Sequence, residues 1–185
     1  ASVITRDDDE IHINSKDLNL KYSAKNLNGI EFGDDLDLIK AAVKIMEPNY
    51  GFDLETYAEI EPGTGLGGSS AVVVSVLGAL NYFRNEQHLD IYQLADVAYQ
   101  TERIDMKMQG GWQDQYATTF GGFSWIEFRQ NEVIVNPILL QRNVLLELEY
   151  NLMLFRLGGS RKSSRIQKTH INKISTNTPN AKSFE

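Results

Sequence analysis

A glycine-rich segment, Glu61-Pro62-Gly63-Thr64-Gly65-Leu66-Gly67-Gly68-Ser69-Ser70, leads directly into the apolar run 71–80. Four of the six residues from 63 to 68 are glycine, so this backbone can adopt positive φ angles and lie against a ligand. The apolar run is typical of a buried helix, and we expect Ser69 and Ser70 to cap its first turn. Free amides and the helix dipole then favour a bound phosphate. A tight turn without a ligand is the alternative, although a simple turn does not require four glycines.

This segment matches two familiar phosphate-binding loops poorly. A P-loop ends in Gly-Lys-Ser/Thr, and no lysine follows the glycines here. Gly63, Gly65 and Gly68 match the dinucleotide pattern GxGxxG literally, but that pattern needs a second strand that ends in an acid about 20 residues further on. The sequence instead has the polar residues 84–87 and then another helix from Asp90, which disfavours a nicotinamide site.

The segment resembles the second motif of the GHMP kinases, which reads approximately Pro-x-x-x-Gly-Leu-Gly-Ser-Ser-Ala. The residue types of that motif are supplied by Pro62, Gly65, Leu66, Gly67, Ser69 and Ala71. Gly68 departs from it, because a serine usually stands there. The resemblance implies that ATP phosphates are held by Pro62, Gly63, Gly65, Leu66, Gly67, Gly68, Ser69 and Ser70. It also implies that Ser69 lies near Mg²⁺ and the phosphates, with Ser70 as the alternative to it.

Composition and charge exclude several other classes of protein. The 185 residues contain no cysteine, which excludes disulfides and thiolate metal sites and allows a reducing compartment. The three histidines are far apart, so no His-based zinc motif is present. A net charge of −7 argues against general nucleic-acid binding. No apolar run approaches the roughly 18 residues of a membrane span, and no signal peptide is evident, so we expect a cytoplasmic protein without a membrane partner.

Hydrophobic patterning predicts several elements around the glycine segment. Strict alternation predicts a strand over 52–60 that leads into it. Helical spacing predicts a helix from the acidic residues 34–35 to about Pro48. Further predictions are a hairpin between 2–5 and 11–14, a short strand at 18–22, a hairpin between 123–128 and 133–135, and a strand at 151–157.

Glu102 stands at an unexpected place on the next helix. The apolar stripe of that helix is formed by Ile91, Leu94, Ala95 and Ala98. Glu102 lies four residues beyond Ala98 and so continues the same stripe. A carboxylate on an inward face is costly unless it is paired or binds a metal. The alternative is a helix-end glutamate that turns out to solvent.

A second glycine-containing segment follows, Gln109-Gly110-Gly111-Trp112-Gln113-Asp114-Gln115-Tyr116. Its two glycines allow the backbone to approach another group closely. Asp114 lies at or near the start of a short helix. It is either a helix cap or a positioned carboxylate that polarises a substrate hydroxyl.

The order of these acids strengthens the resemblance to the GHMP kinases. Members of that family carry a glutamate that binds Mg²⁺ and, about a dozen residues later, an aspartate that serves as the base. Glu102 and Asp114 match this order, and their surroundings look most like those in the heptose 7-phosphate kinases, with the fucokinases as relatives. The resemblance implies Ser69 and Glu102 as metal ligands, Asp114 as the base, and Gly111 and Asp114 as sugar contacts.

The segment 158–165 is similar to a Thr-Gly-x-Ser-Arg segment of the heptose kinases, although Leu157 replaces the threonine. Arg161 and Arg165 could bind a sugar phosphate, or they could be ordinary basic residues at the N-terminus of a helix. Two further family motifs are absent from the sequence. We therefore expect a piece of a kinase of roughly twice this size, with an N-terminal domain at 1–158 and the start of a C-terminal domain at 159–185.

The resemblance predicts an α+β fold with a mostly antiparallel sheet packed with helices, as in the GHMP kinase N-terminal domain. It predicts ATP and Mg²⁺ as cofactors, a sugar phosphate as substrate, and phosphorylation of an anomeric hydroxyl. A homodimer is compatible with this prediction. The alternatives are a fucokinase-like or galactokinase-like enzyme and a non-catalytic nucleotide-binding fragment.

Overall fold

The computed structural model describes residues 1–60, 63–84, 88–130 and 132–155. Within these ranges the predicted α+β class is confirmed, because a four-stranded sheet and a two-stranded sheet combine with five α-helices. In chain order the elements are β1 (Ser2–Thr5), β2 (Ile11–Ser15), β3 (Leu20–Ala24), α1 (Asp37–Met46), β4 (Phe52–Thr56), α2 (Gly68–Asn81), α3 (Ile91–Tyr99), the π segment (Gln100–Asp105, a π-helical turn), α4 (Gln113–Phe120), β5 (Ser124–Phe128), β6 (Val133–Pro137) and α5 (Arg142–Asn151).

The larger sheet has the strand order β1-β4-β2-β3. β4 pairs antiparallel with β1 and parallel with β2, whereas β2 and β3 pair antiparallel. The predicted hairpin between 2–5 and 11–14 is therefore wrong, although both strands exist. β4 lies between them because its inward side chains, Phe52 and Leu54, are completely buried. A strand that packs so much apolar surface is most stable in the centre of a sheet.

Gly51 allows the turn between β1 and β2 to close over the start of β4. Its N–H donates to the carbonyl of Asp8 at 2.9 Å, and its carbonyl accepts from the N–H of Arg6 at 2.8 Å. A Cβ at position 51 would lie 2.1 Å from the Asp8 carbonyl oxygen, so a larger residue would push the turn away. The Arg6 guanidinium also hydrogen-bonds Asp8 and lowers the pKa of its carboxyl to about 2.

β4 is shorter than the predicted strand 52–60. It ends at Thr56, where its neighbour β2 also ends at Ser15. Beyond this point no partner strand among the described residues supplies backbone hydrogen bonds, and Tyr57 is largely exposed. The chain therefore leaves the sheet and runs toward the glycine segment.

The main core lies between this sheet and helices α1 and α2. The predicted first helix is confirmed as α1, and the apolar run after the glycines is confirmed as part of α2. The buried side chains at the centre of this core are Ile11, Ile13, Ile39, Val43, Phe52, Leu54, Val73, Val76, Leu77 and Leu80. α2 is apolar on several sides because it contacts α1, α3 and α4. The start of α2 is thereby held rigidly at the end of the glycine segment.

A smaller cluster joins α3, α4 and the hairpin of β5 and β6. The predicted second hairpin is confirmed, with Ser124 opposite Pro137 and Phe128 opposite Val133. The buried members of this smaller cluster are Ala95, Tyr116 and Val135. This cluster fixes α4, which carries Asp114, beside α3, which continues into the π segment that carries Glu102.

The strand predicted at 151–157 is wrong in its described part. Asn151 is the last residue of α5, and residues 152–155 have no regular structure. An isolated apolar run needs a partner strand to become a strand, and none pairs with it among the described residues. Residues 156–185 lie outside the described part of the chain, and with them the predicted boundary at 158/159. No helix within the described ranges is both long and apolar enough to cross a bilayer.

Candidate active site

The glycine segment forms an open loop at the start of α2. Gly63, Gly65 and Gly67 have positive φ angles of 81°, 77° and 73°, a backbone region that favours glycine. A Cβ placed on Gly65 or Gly68 would meet no atom within 4 Å, so there is open space beside the loop at these two positions. Glu61 and Pro62 lie outside the described residues.

The first turn of α2 lacks the side-chain caps that we expected. Gly67 is the N-cap residue and no side chain caps the helix, so the prediction that Ser69 and Ser70 cap this turn is wrong. The physical reason is that the Ser70 hydroxyl is buried and donates to a carboxylate on another element. Gly67 has no side chain that could accept from the first amides of α2, and such amides attract anions.

Glu102 is completely buried, and its inward position is confirmed. It lies in the π segment, whose wider turn continues α3 and buries both Thr101 and Glu102. The hydroxyl of Ser70 donates to Glu102 Oε2 at 2.6 Å. Because Ser70 is in the first turn of α2, this bond ties the carboxylate to the end of the glycine loop. Ser69 is exposed.

Gln115 completes this buried cluster from α4. Its side-chain amide donates to Ser70 Oγ at 3.2 Å and also to Glu102 Oε2. Two side chains, one from α2 and one from α4, therefore converge on one carboxylate oxygen of the π segment. The sequence contains no local signal for the role of Gln115, because its partners are 13 and 45 residues away.

The second oxygen of Glu102 has no partner among the described residues. Glu102 Oε1 and Gln115 Oε1 are both buried and make no hydrogen bond. A buried acceptor without a partner is costly, so a bound ion, ligand or water is the expected partner of Glu102 Oε1. Carboxylate and hydroxyl oxygens are ligands that suit Mg²⁺, and this donor set fits such an ion. No group of three acidic or histidine side chains forms a metal site within the described ranges, so phosphate or water oxygens would complete the coordination.

Asp114 lies on the outer side of the contact between the π segment and α4. It is in the first turn of α4, where Trp112 is the N-cap residue and no side chain caps the helix, so the alternative of a helix cap is wrong. Its carboxylate is half-exposed and lies 3.8 Å from the Arg103 guanidinium. Consecutive residues of the π segment thus face consecutive residues of α4: Glu102 contacts Gln115 inside, and Arg103 approaches Asp114 outside.

α4 also lies beside the glycine loop. A Cβ on Gly67 would be 3.8 Å from the side-chain methyl of Thr118. Tyr116 anchors this helix, because its hydroxyl donates to Asp96 of α3 at 2.6 Å. Burial and this hydrogen bond raise the pKa of Tyr116, so the anchor stays protonated and neutral at ordinary pH.

The structure brings most of the predicted site together. Glu102, the glycine loop and the start of α4 meet around α2, and the Gly111 carbonyl accepts from Arg103 Nε at 3.2 Å. Two contributors, Arg103 and Gln115, were not predicted. Arg161 and Arg165 lie outside the described residues, so their predicted contact with a sugar phosphate stays a prediction.

Residues 37–122 match the protein family described as GHMP kinases N terminal domain. The D-glycero-alpha-D-manno-heptose 7-phosphate kinase of Campylobacter jejuni is 35% identical over 182 residues, which cover 94% of this chain and 53% of that protein. The crystal structure of a D-glycero-D-manno-heptose 1-phosphate kinase from Bacteroides thetaiotaomicron superposes with a TM-score of 0.74 at 34% identity, covering 80% of this chain and 50% of that one. A putative sugar kinase from Campylobacter jejuni superposes with a TM-score of 0.68 at 38% identity, covering 80% and 48%. The chain spans about half the length of the relatives it matches.

Proposed function

Because the chain belongs to the GHMP kinase family, we propose that it forms the nucleotide-binding part of an ATP-dependent sugar kinase. The proposed acceptor is the anomeric hydroxyl of a heptose 7-phosphate. The likeness to two proteins named as heptose phosphate kinases, at 35% and 34% identity, supports this choice of substrate class.

The observation that carries the proposal is the buried contact between Ser70 and Glu102. A carboxylate without solvent exposure lies at the end of a glycine loop, and the described part of the chain leaves one of its oxygens unpaired. A simple structural turn would not need a buried acid at this position, because desolvating it is costly. A site that holds a cation beside a bound polyphosphate does need one.

In this proposal the glycine loop holds the ATP phosphates through backbone amides. The exposed loop and the uncapped first turn of α2 support the role of Gly63, Gly65, Leu66, Gly67, Gly68 and Ser69. Pro62 is also proposed to contact the phosphates. It lies outside the described residues, so only its match to the sequence motif supports this role. The positive end of α2 adds favourable electrostatics for the phosphates.

We propose Glu102 as the principal protein ligand of Mg²⁺. The hydroxyl of Ser70 already contacts its carboxylate, which favours Ser70 over Ser69 as the second ligand. Ser69 is exposed and suits a direct contact with phosphate. When bound, Mg²⁺ would neutralise charge on the β- and γ-phosphates.

Asp114 is the proposed base. It would accept the proton of the anomeric hydroxyl while that oxygen forms a bond to the γ-phosphorus and the bond from this phosphorus to ADP breaks. An anomeric hydroxyl is more acidic than an ordinary alcohol, so an exposed carboxylate suffices. Most of the rate would come from alignment and electrostatics. Gly111 and Arg161 complete the proposed contacts with the sugar.

The proposal is tested with the full-length protein, ATP, Mg²⁺ and a panel that contains heptose 7-phosphates, fucose and galactose. We expect turnover of a heptose 7-phosphate, and Asp114→Asn should lower kcat by at least ~100-fold, the low end for a positioned base. Asp35→Asn, at an exposed position before α1, is the matched control and should be neutral.

Each outcome of this experiment is informative. Turnover of fucose or galactose alone would replace the proposed substrate. Normal turnover by Asp114→Asn would remove the base assignment. Binding of ATP without turnover of any sugar would favour the non-catalytic nucleotide-binding alternative.

A further inference from the structure

We propose that Arg103 is a positioning residue that holds the loop 107–112 and the carboxylate of Asp114 in the geometry required for the reaction. This inference rests on the proposed function and assigns a second task to the π segment. Glu102 would serve the metal, whereas the next residue along the chain would serve the sugar side of the same site.

The Arg103 guanidinium distributes its nitrogens over three partners. Nε donates to the carbonyl of Gly111 at 3.2 Å, and Nη1 donates to the carbonyl of Gln109 at 3.3 Å. Nη2 lies 3.8 Å from Asp114 Oδ2. The Arg103 side chain is only 8% exposed, whereas the Asp114 carboxylate is half-exposed. The guanidinium therefore supports the loop rigidly, because each of its three nitrogens has a separate partner.

Gly110 makes this arrangement possible. Its φ angle is +152°, and a Cβ there would lie 2.6 Å from Arg103 Cζ and 2.7 Å from Nη2. A side chain at position 110 would therefore displace the guanidinium from between the two carbonyls. The second glycine segment has this composition because the loop wraps directly around an arginine.

The side-chain contacts of Arg103 are separate from those of Glu102, and the loop reaches Glu102 only at its backbone carbonyl, which accepts from the Met108 N–H at 2.9 Å among the interactions of the described residues. Glu102 is held by Ser70 and Gln115, and neither of these residues contacts the guanidinium among the interactions of the described residues. Loss of Arg103 should therefore disturb Asp114 and the loop while the metal and the nucleotide still bind. A residue that merely stabilised the fold would affect all of these properties together.

The test uses the full-length protein with Arg103→Gln, Arg103→Lys and Gly110→Ala. Arg129→Gln is the matched control, because Arg129 pairs with Glu127 and Glu132 on the exposed hairpin. The measurements are kcat, the KM for the sugar, the dissociation constant of ATP with Mg²⁺, and amide hydrogen exchange in a peptide that covers 107–112. Thermal unfolding establishes that each variant is folded.

For Arg103→Gln we expect kcat/KM for the sugar to fall about 100-fold, as a displacement of about 1 Å can produce. The nucleotide dissociation constant should change less than about 3-fold, because that site has separate contacts. Exchange in 107–112 should become faster. Arg103→Lys should restore little, since an ammonium cannot reproduce the planar fork, and Gly110→Ala should share the defect.

Three results would overturn the positioning role. They are unchanged kinetics and exchange in Arg103→Gln, full rescue by lysine, and an equal loss of nucleotide and sugar binding. Failure of the proposed function is a different result, because the wild-type protein itself would then turn over no sugar. An active wild type with an unaffected Arg103→Gln variant would remove this inference alone.

Discussion

Lys40 and Glu102 are the two charged side chains that are completely buried in the described part of the chain, and their surroundings differ. Lys40 Nζ donates to the Glu31 carbonyl at 2.9 Å and to Asp34 Oδ2 at 2.7 Å. It also lies 4.0 Å from the centre of the Tyr22 ring. Among the described residues Glu102 has donors on one oxygen only, and its other oxygen is unpaired.

The difference shows that burial of a charge does not by itself indicate a binding site. Around Lys40, a carbonyl, two carboxylates (Asp34 and Asp37) and an aromatic face replace the lost water, so the site is complete without a ligand. Around Glu102, the protein supplies donors for half of the carboxylate and leaves the other half open. The position of the unpaired oxygen at the end of the glycine loop, rather than the buried charge, is therefore what points to a binding site.

The largest expected effect comes from changing Glu102. Glu102→Gln should weaken the Mg²⁺ affinity of the full-length protein by about 100-fold or more, because loss of outer-shell partners alone costs 10–100-fold in metal sites. The free energy of unfolding should be unchanged or higher, since a neutral amide costs less to bury than a carboxylate. A metal titration and urea unfolding measure both. An unchanged titration would remove the ligand role.

A moderate effect, on stability and not on ligand binding, is expected at Lys40. Lys40→Met should lower the free energy of unfolding by about 1–3 kcal/mol, because it leaves the Glu31 carbonyl without its donor. The cost stays below that of a fully buried pair, since Asp34 is half-exposed and water can solvate it. Nucleotide affinity should not change. Lys44→Met, one turn further along α1, is the control and should cost less in urea unfolding.

If Lys40→Met impaired nucleotide binding as strongly as stability, the distinction between the two buried charges would fail. The same would hold if Glu102→Gln destabilised the protein as much as Lys40→Met. The two variants therefore test the comparison in both directions.

The smallest effect concerns acid pH. The hydrogen bond from Lys40 lowers the pKa of Asp34 below the ordinary value of 3.8. A lowered pKa in the folded state stabilises the fold above the unfolded value, and this contribution is lost as pH falls through the folded pKa. Lys40→Met should therefore make unfolding less dependent on pH below about 4. Urea midpoints from pH 2 to pH 7, compared with those of Lys44→Met, measure this effect; parallel curves would contradict it.

Predictions that depend on local sequence were successful. α1, α3 and the second hairpin follow from hydrophobic spacing and terminal signals that lie within the elements themselves. The inward position of Glu102 follows in the same way from the apolar stripe before it. The open loop follows from its glycines, whose positive φ angles are a property of single residues.

Predictions that depend on distant partners were not successful. The hairpin between β1 and β2 failed because β4, some 40 residues later, pairs between them. The serine caps failed because Ser70 donates to a carboxylate 32 residues away. The strand at 151–157 failed because no neighbouring strand among the described residues pairs with it.

The sequence alone determined which residue types are available: a glycine loop before an apolar helix, an acid on an inward stripe, and a second acid after a glycine pair. These features are local, because periodicity and backbone freedom are properties of neighbouring residues. Only the tertiary structure decided that Ser70 rather than Ser69 contacts Glu102, that Gln115 completes the cluster, and that Arg103 supports the second loop. Hydrogen bonds between elements depend on how helices pack around a shared core, and that packing is settled by the whole chain.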